Sequence, residues 1–395
     1  MHSILLALQL LAATPSADPF AFFAPTVSVS SDDRRQLDRG ESIGRVLPGK
    51  DGEVVVFAAV PVGVDGNHLV AWMRQIAALK KSRYVLGIGR FSNPPRIEDL
   101  SDLVLDDQDL EDIQECRPGR CELKLTGLEM ARLQRAATAA GPAWKPAVQE
   151  AFRHVVLQRV QTYLAAGLAA LPPYEDHKGE APPAKTFATL LDRSTFLTDR
   201  VPGFAEDLRG YPLTARPGVE SFIYWSKELL AHRAIVKVTH VSIVRSEARG
   251  LPDALVAGKE IFSTHYVNGS LGLTAILRGE PGGRNYLAYL NRSDVDALGG
   301  VLGGVLRWFV QRRLKSEAAA VLQGLRERLE SGAPPVSDRS GASHMHLAVG
   351  EALRDPFGWL HAQLVADARD ERLVGRTGDC RQRHGYRDSK RHASR

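Results

Sequence analysis

From Val219 onward, five β-rich segments follow one another with short breaks: Ser221 to Lys227, Arg233 to Arg245, Leu255 to Val267, Ser270 to Leu277 and Asn285 to Asn291. Links this short cannot carry the chain back across a sheet for a parallel crossover, so neighbouring segments must pair antiparallel. Two further strands are expected upstream, at Glu53 to Pro61, which ends where Pro61 removes a ladder donor, and at Arg83 to Phe91. Between these two lies a helical stripe. His68 to Lys80 places Leu69, Trp72, Met73, Ile76 and Leu79 on one face, with Lys80, Lys81 and Arg83 at the end that favours cations.

The period changes again in the middle of the chain. An acidic stretch, Glu98 to Glu115, reads as loop and short helix, and Cys121 to Leu125 as a brief strand. Val148, Phe152, Val155, Val156, Val160, Tyr163 and Leu164 then mark an amphipathic helix from Ala147 to Leu171, which Pro172-Pro173 ends. Tyr174 to Pro217 is rich in Pro, Gly and charge, with short helical pieces around Phe187-Leu191 and Phe204-Leu208. A final long helix is expected from Ser293-Asp294 to Leu329, with Leu322, Leu325 and Leu329 on its buried side. These elements give an α+β fold: an antiparallel sheet wrapped on a long C-terminal helix, with a helical insertion at about 126–217.

At the N-terminus, Ile4 to Ala13 is apolar except for Gln9, and Thr14-Pro15-Ser16-Ala17 offers small residues for cleavage. Residues 1–17 therefore read as a secretory signal peptide, followed by one α+β domain over 18–331 and a low-order tail over 332–395. Phe20 to Pro25 forms an apolar plug, and Ser30-Ser31-Asp32 reads as the cap of a short polar helix. The formal charge of +5 is local: Arg369 to Arg395 holds nine Lys/Arg against four Asp/Glu, which leaves the body neutral and removes the case for nucleic-acid binding. Cys116 and Cys121 bracket the turn-like Arg117-Pro118-Gly119-Arg120, a spacing that closes a hairpin disulfide in an oxidising compartment. The expected location is thus exported, periplasmic or extracellular.

The element order over residues 50–331 resembles that of START-like, helix-grip domains. The segments Tyr224-Trp225-Ser226-Lys227-Glu228, Val238-Thr239-His240, Gly258 to Tyr266 and Tyr289-Leu290-Asn291-Arg292-Ser293 look like those of a group of exported bacterial proteins of uncharacterised function. The first resemblance implies a cavity for a lipid or other apolar small molecule, with peripheral membrane contact a further possibility; the second implies a location and no activity.

No phosphate loop, nucleophile elbow, zincin helix or dinucleotide fingerprint occurs, so no cofactor or metal is expected. Alternation on Arg233 to Arg245 places His240 in an apolar row that faces either core or cavity. His265 lies in the next strand, so His240, His265 and Glu228 are the candidate catalytic groups of a hydrolase. Lys227 and Glu228 point to opposite faces, as do Lys259 and Glu260, and a structural ion pair across strands competes with any role in a pocket. Tyr224, Lys227, His240, His265, Tyr266 and Arg292 are the candidate ligand-binding set. Three functions stay open at this stage: an exported binding protein with a START-like cavity, an exported hydrolase, and a structural envelope protein.

Overall fold

The computed structural model describes residues 18–296 and 322–334, apart from residues 51, 83, 178–180, 231, 232 and 281. Its longest strand is β5, Arg233–Arg245, buried on both sides. Val236, Val238, His240 and Ser242 lie on one face, and Ile235, Lys237, Val241 and Ile243 on the other. Burial of both faces is unusual for antiparallel strands and means that the sheet is the middle layer of the molecule.

Around β5, a meander runs through β4 (Glu220–Leu230), β6 (Ala254–Ser263), β7 (Val267–Leu277) and β8 (Asn285–Val295), each antiparallel to the next. The earlier strands extend both edges. β2 (Glu53–Val62) pairs with β8 and carries β1 (Ile43–Leu47), while β3 (Val85–Arg90) pairs with β4. The eight-stranded order is β1-β2-β8-β7-β6-β5-β4-β3.

Helices inserted between β3 and β4 cover the face that bears Val236 and Val238. These are α4 (Asp107–Glu115), α5 (Gly127–Ala140), α6 (Trp144–Ala166), α7 (Pro183–Asp192), α8 (Thr195–Arg200) and α9 (Pro202–Gly210). Val148, Phe152, Val155, Val156, Val160 and Tyr163 recur at helical spacing along α6 and are all buried. Each such side chain contributes about 2 kcal/mol through loss of apolar surface to water. The plug Phe20, Phe22 and Phe23 enters the same core, followed by α1 (Ser31–Asp38), capped by Ser30 and Asp33.

The other face is covered by α2 (Gly66–Arg74), α3 (Ile76–Leu79) and a helical stretch at residues 322–330, whose Leu322, Leu325 and Leu329 are buried. Trp72 Nε1 donates to Gly332 O at 3.1 Å, and the Arg328 guanidinium donates to Lys81 O at 2.8 Å, so the two elements are tied at several points.

The sheet wrapped on one long C-terminal helix is overturned. β8 continues to Val295, through the residues read as the start of that helix. Asn291, Arg292 and Ser293 have ladder partners on both sides, on β2 and β7, and Arg292 ion-pairs with Glu53 at 2.6 Å. Pairing with two strands outweighs the local Ser-Asp capping signal. Of the expected helix only 322–330 is seen, and 297–321 lies outside the described residues; what the described residues form is an eight-stranded antiparallel sheet with several helices, without the long C-terminal helix. Residues 1–17, read above as a signal segment, and the basic stretch 369–395 also lie outside the described residues.

Smaller differences have local causes. Gln75, at φ −102° and ψ 49°, divides the expected His68–Lys80 helix into α2 and α3. Cys121 to Leu125 forms no strand and touches the sheet's end through Lys124 N, which donates to Thr264 O at 2.8 Å. Cys116 and Cys121 are disulfide-bonded around the Arg117–Arg120 turn.

Trp225 explains the two glycines of the β3 edge. Its indole lies over them and donates from Nε1 to Asp99 O at 2.8 Å. A Cβ on Gly89 would stand 2.5 Å from that nitrogen. Gly89→Ala is therefore expected to lower stability by about 1–3 kcal/mol through overpacking. The midpoint of urea unfolding, compared with that of the wild type, measures it.

Candidate functional site

Five strands of the meander place polar residues on the face beneath α2 and α3: Glu228 on β4, Lys237 on β5, Glu260 on β6, Ser270 on β7 and Asn291 on β8. They line one pocket, closed above by Met73, Ile76 and Lys80. Its floor is open because Gly258 and Gly272 stand opposite each other on β6 and β7. Alternation along β6 puts Glu260 on the same face as Val256 and Gly258, and a β-bulge follows it. Glu260 pairs with Thr239 and Phe262 with Val238, so Ile261 is the extra residue, and both Ile261 and Phe262 turn into the helix-covered core.

Two lysines and two carboxylates meet here, all four buried. Glu228 Oε1 accepts from Lys80 Nζ and from Ser226 Oγ, the latter at 2.7 Å. Burial works against ionisation of Glu228, but Lys80 and Lys237 outweigh it and hold the carboxyl below the usual range. Lys237 Nζ stands 3.5 Å from Glu228 Oε2 and 3.9 Å from Glu260 Oε2, beyond hydrogen-bond length. Among the described residues, Glu260 Oε1 and Glu228 Oε2 have no hydrogen-bond partner. Burial, helped by the charge of Glu228 and opposed by Lys237, pushes the Glu260 carboxyl up to about 7.

The structure divides the residues that the sequence marked. Tyr224 and Glu228 line the pocket, and the Tyr224 hydroxyl lies 3.4 Å from Lys80 Nζ. Lys227, one residue away, ion-pairs with Asp106 on the opposite face. Arg292 also lies there, bound to Glu53, which Arg193 contacts at 3.1 Å. Tyr266 is buried in the core beside α2 and α3 with a positive φ of 64°, a strained conformation for an aromatic residue, but it is outside the pocket lining.

The two histidines have separate surroundings. His240 faces the helical layer, where its Nδ1 lies 2.7 Å from the Tyr163 hydroxyl and Tyr211 packs on the ring at 4.3 Å between centroids. Burial, then the nearby Lys259, hold it down to about 3, so the ring fits this core in its neutral form. His265 Nε2 lies 3.1 Å from Asp109 Oδ1, and its Nδ1 lies 2.8 Å from Glu122 O. Arg233 contacts the same Asp109 oxygen at 2.7 Å. Each imidazole joins the sheet to a different helix. No cleft among the described residues unites them with Glu228, which lies on the other side of the sheet.

Asp176, His177 and Asp296 can bring ligand atoms within 4.8 Å of one another. Lys124 Nζ already occupies the place of a cation, 3.1 Å from Asp176 Oδ2 and 2.5 Å from Asp296 Oδ2, with Asn268 Oδ1 at 2.8 Å.

Lys80, Lys237 and Glu260 are the pocket residues that sequence reasoning did not select. Lys80 reads as a helix-end cation, and nothing local marks its partner 148 positions along the chain. The Lys259-Glu260 doublet, by contrast, already implied that one of the two faces this side.

Two predictions concern stability. With a folded value near 3 against an ordinary 6.5, His240 takes up its proton on unfolding, so its contribution is present above pH 6.5 and is lost as pH falls toward 3. His240→Gln is expected to flatten that part of the pH–stability curve, by roughly 4 kcal/mol at its acid end. Glu260 has the opposite sign: its value, raised to about 7 from 4.5, makes stability fall as pH rises from 4.5 to 7. Glu260→Gln should remove that slope and be more stable at pH 8 by roughly 3 kcal/mol. Unfolding midpoints measured from pH 3 to 8 check both. No family model, curated protein or solved structure matches the chain.

Proposed function

We propose that this chain is an exported binding protein and that the pocket between the sheet and α2–α3 holds a small polar ligand. The observation that carries the reading is Glu260: an ionisable side chain only 9% exposed, with one buried carboxylate oxygen unpartnered, in the lining of a cavity. A buried charge without a full set of partners lowers stability, and such groups concentrate where a ligand completes them. The cavity is open to water-sized molecules over about 90 Å³, room for a small solute or a few waters. Charged groups from three strands and from Lys80, just beyond α3, surround that space, whereas an acyl chain needs an apolar tube. The ligand class is therefore shifted from the apolar molecule implied by the START-like resemblance to a small polar one.

Export is supported by the Cys116–Cys121 disulfide, a bond that persists in oxidising compartments. Protein isolated from the producing cell should begin near residue 18 and show no free thiol at either position. An intact Met1 together with two free thiols would remove the exported half of the proposal.

Gly272 tests the pocket half. A Cβ there meets its nearest atoms, Asn291 Oδ1 and the Tyr289 hydroxyl, at 3.7 Å, so a small side chain is accommodated by the backbone and occupies the cavity. Gly272→Val should fold with an unfolding midpoint close to that of the wild type. It should also lose the thermal shift that the wild type shows with members of a panel of small polar solutes. A wild type that responds only to lipids or other apolar molecules, or a response that survives the filled floor, contradicts the proposal.

A further inference from the structure

We infer that the ligand of this pocket is a small zwitterion of the α-amino-acid type, its carboxylate on Lys237 and its ammonium between Glu260 Oε1 and Glu228 Oε2. The inference rests on the pocket reading above and names the ligand's charge pattern.

Lys237 provides the first half. It is buried, and its ammonium meets the two neighbouring carboxylates at 3.5 and 3.9 Å, ranges at which charges attract but protons are not shared. Lys80 differs, since it is bound directly to Glu228 Oε1. An ammonium carries three donors and no acceptor, so Lys237 is the cation in the pocket with donors to give. A ligand carboxylate is the partner that uses them best, because a charge-assisted hydrogen bond is about twice as strong as a neutral one.

The acceptors provide the second half. Glu228 Oε1 is saturated by Lys80 and Ser226, while Oε2 of the same group and Oε1 of Glu260 have no hydrogen-bond donor among the described residues. Both carboxylates flank Lys237, so the open acceptors lie beside the open donors.

Charge balance selects between ligand types. Lys80 and Lys237 offset Glu228 and Glu260, leaving the pocket neutral when all four are ionised. A lone anion would sit against two carboxylates and a lone cation against two ammonium groups, each adding an uncompensated buried charge. A molecule with one charge of each sign completes both half-filled sets and leaves the balance unchanged. The cavity of about 90 Å³ sets the size, and Val256, Met73 and Ile76 leave room for a short apolar or hydroxylated side chain. Glu260 has a value near 7 in the empty pocket, and a ligand ammonium favours its ionised form. Uptake therefore releases protons and weakens as pH falls from 8 to 6.

The test is calorimetric titration of the full chain, at pH 8 and pH 6, with glycine, L-alanine and L-serine, set beside ethylamine, propionate and glucose. The zwitterions should bind at least roughly tenfold more tightly than either single-charge fragment, a ratio equivalent to one charge-assisted hydrogen bond. Lys237→Met and Glu260→Gln should each reduce zwitterion affinity by roughly tenfold or more, and Glu260→Gln should do so while gaining stability at pH 8. Heats in two buffers of different ionisation enthalpy should reveal the released proton. Glucose, ethylamine or propionate binding as tightly as alanine, with Gly272→Val abolishing it, overturns the zwitterion and leaves the pocket standing. If none of the six probes binds, or if Gly272→Val leaves zwitterion binding unchanged, the pocket reading and the inference fall together.

Discussion

A sheet covered on both faces leaves few strand positions in water, so the polar side chains of β4 to β8 must find their partners inside the protein. Thirteen-residue β5 shows the scale of the constraint, with Lys237, His240 and Ser242 all buried. An unpaired charge or a bare hydrogen-bonding group in such a layer costs several kcal/mol, comparable to a large share of a domain's net stability. The polar pattern of the meander can therefore be sorted by whether each group is satisfied.

On the helix-covered face the polar groups act as joints. Lys227 reaches Asp106, Lys259 donates to Leu208 O at 2.8 Å, Arg292 holds Glu53, and His240 meets Tyr163. Each joint links a strand to an element far away in sequence, and each fixes how a helix or neighbouring strand seats on the sheet. Lys259 is the most demanding, since burial brings its amine down to about 7 even with the opposing charge of Asp207. The Tyr163 and Phe187 rings, at 4.9 and 5.1 Å, and the carbonyl near the end of α9 supply what solvation it keeps. Lys259 thus has a hydrogen-bonded carbonyl and aromatic faces around its amine, which separates it from Lys237 on the other face.

Much of the meander was legible because strand alternation is a local property. β5 runs over the residues expected, and the opposite facing of Lys227 and Glu228 follows from a period of two. Failures occur where a partner distant in sequence decides the outcome. Ser293-Asp294 carries a helix-start signal, yet β2 and β7 claim both residues as strand. The small residues of α5 give weak periodicity, so it was missed, although Thr126 and Glu129 form a capping box that marks its start. Alternation places Glu260 on the face of Val256 and Gly258, but nothing local says that this face meets α2 and α3. The pairing of Lys80 with Glu228 had no local trace at all, and with it the ion cluster stayed invisible.

Three departures from the most stable sheet converge on one place. Gly258 and Gly272 forgo side-chain packing at the centre of paired strands, where β-branched residues are favoured. The bulge gives up ladder regularity at Ile261, next to Glu260. Glu260 itself stays ionisable where a glutamine or an aliphatic residue would be easier to bury. Any one of these occurs in ordinary sheets. Together they empty a space, supply it with charge and leave that charge incompletely paired, whereas the joints on the opposite face each bind a partner and leave only single atoms such as Arg292 Nε and His240 Nε2 unbonded. Under the proposed binding role, that space is the part of the fold left for the ligand, with the helical layer and the β1–β2 edge holding the sheet around it.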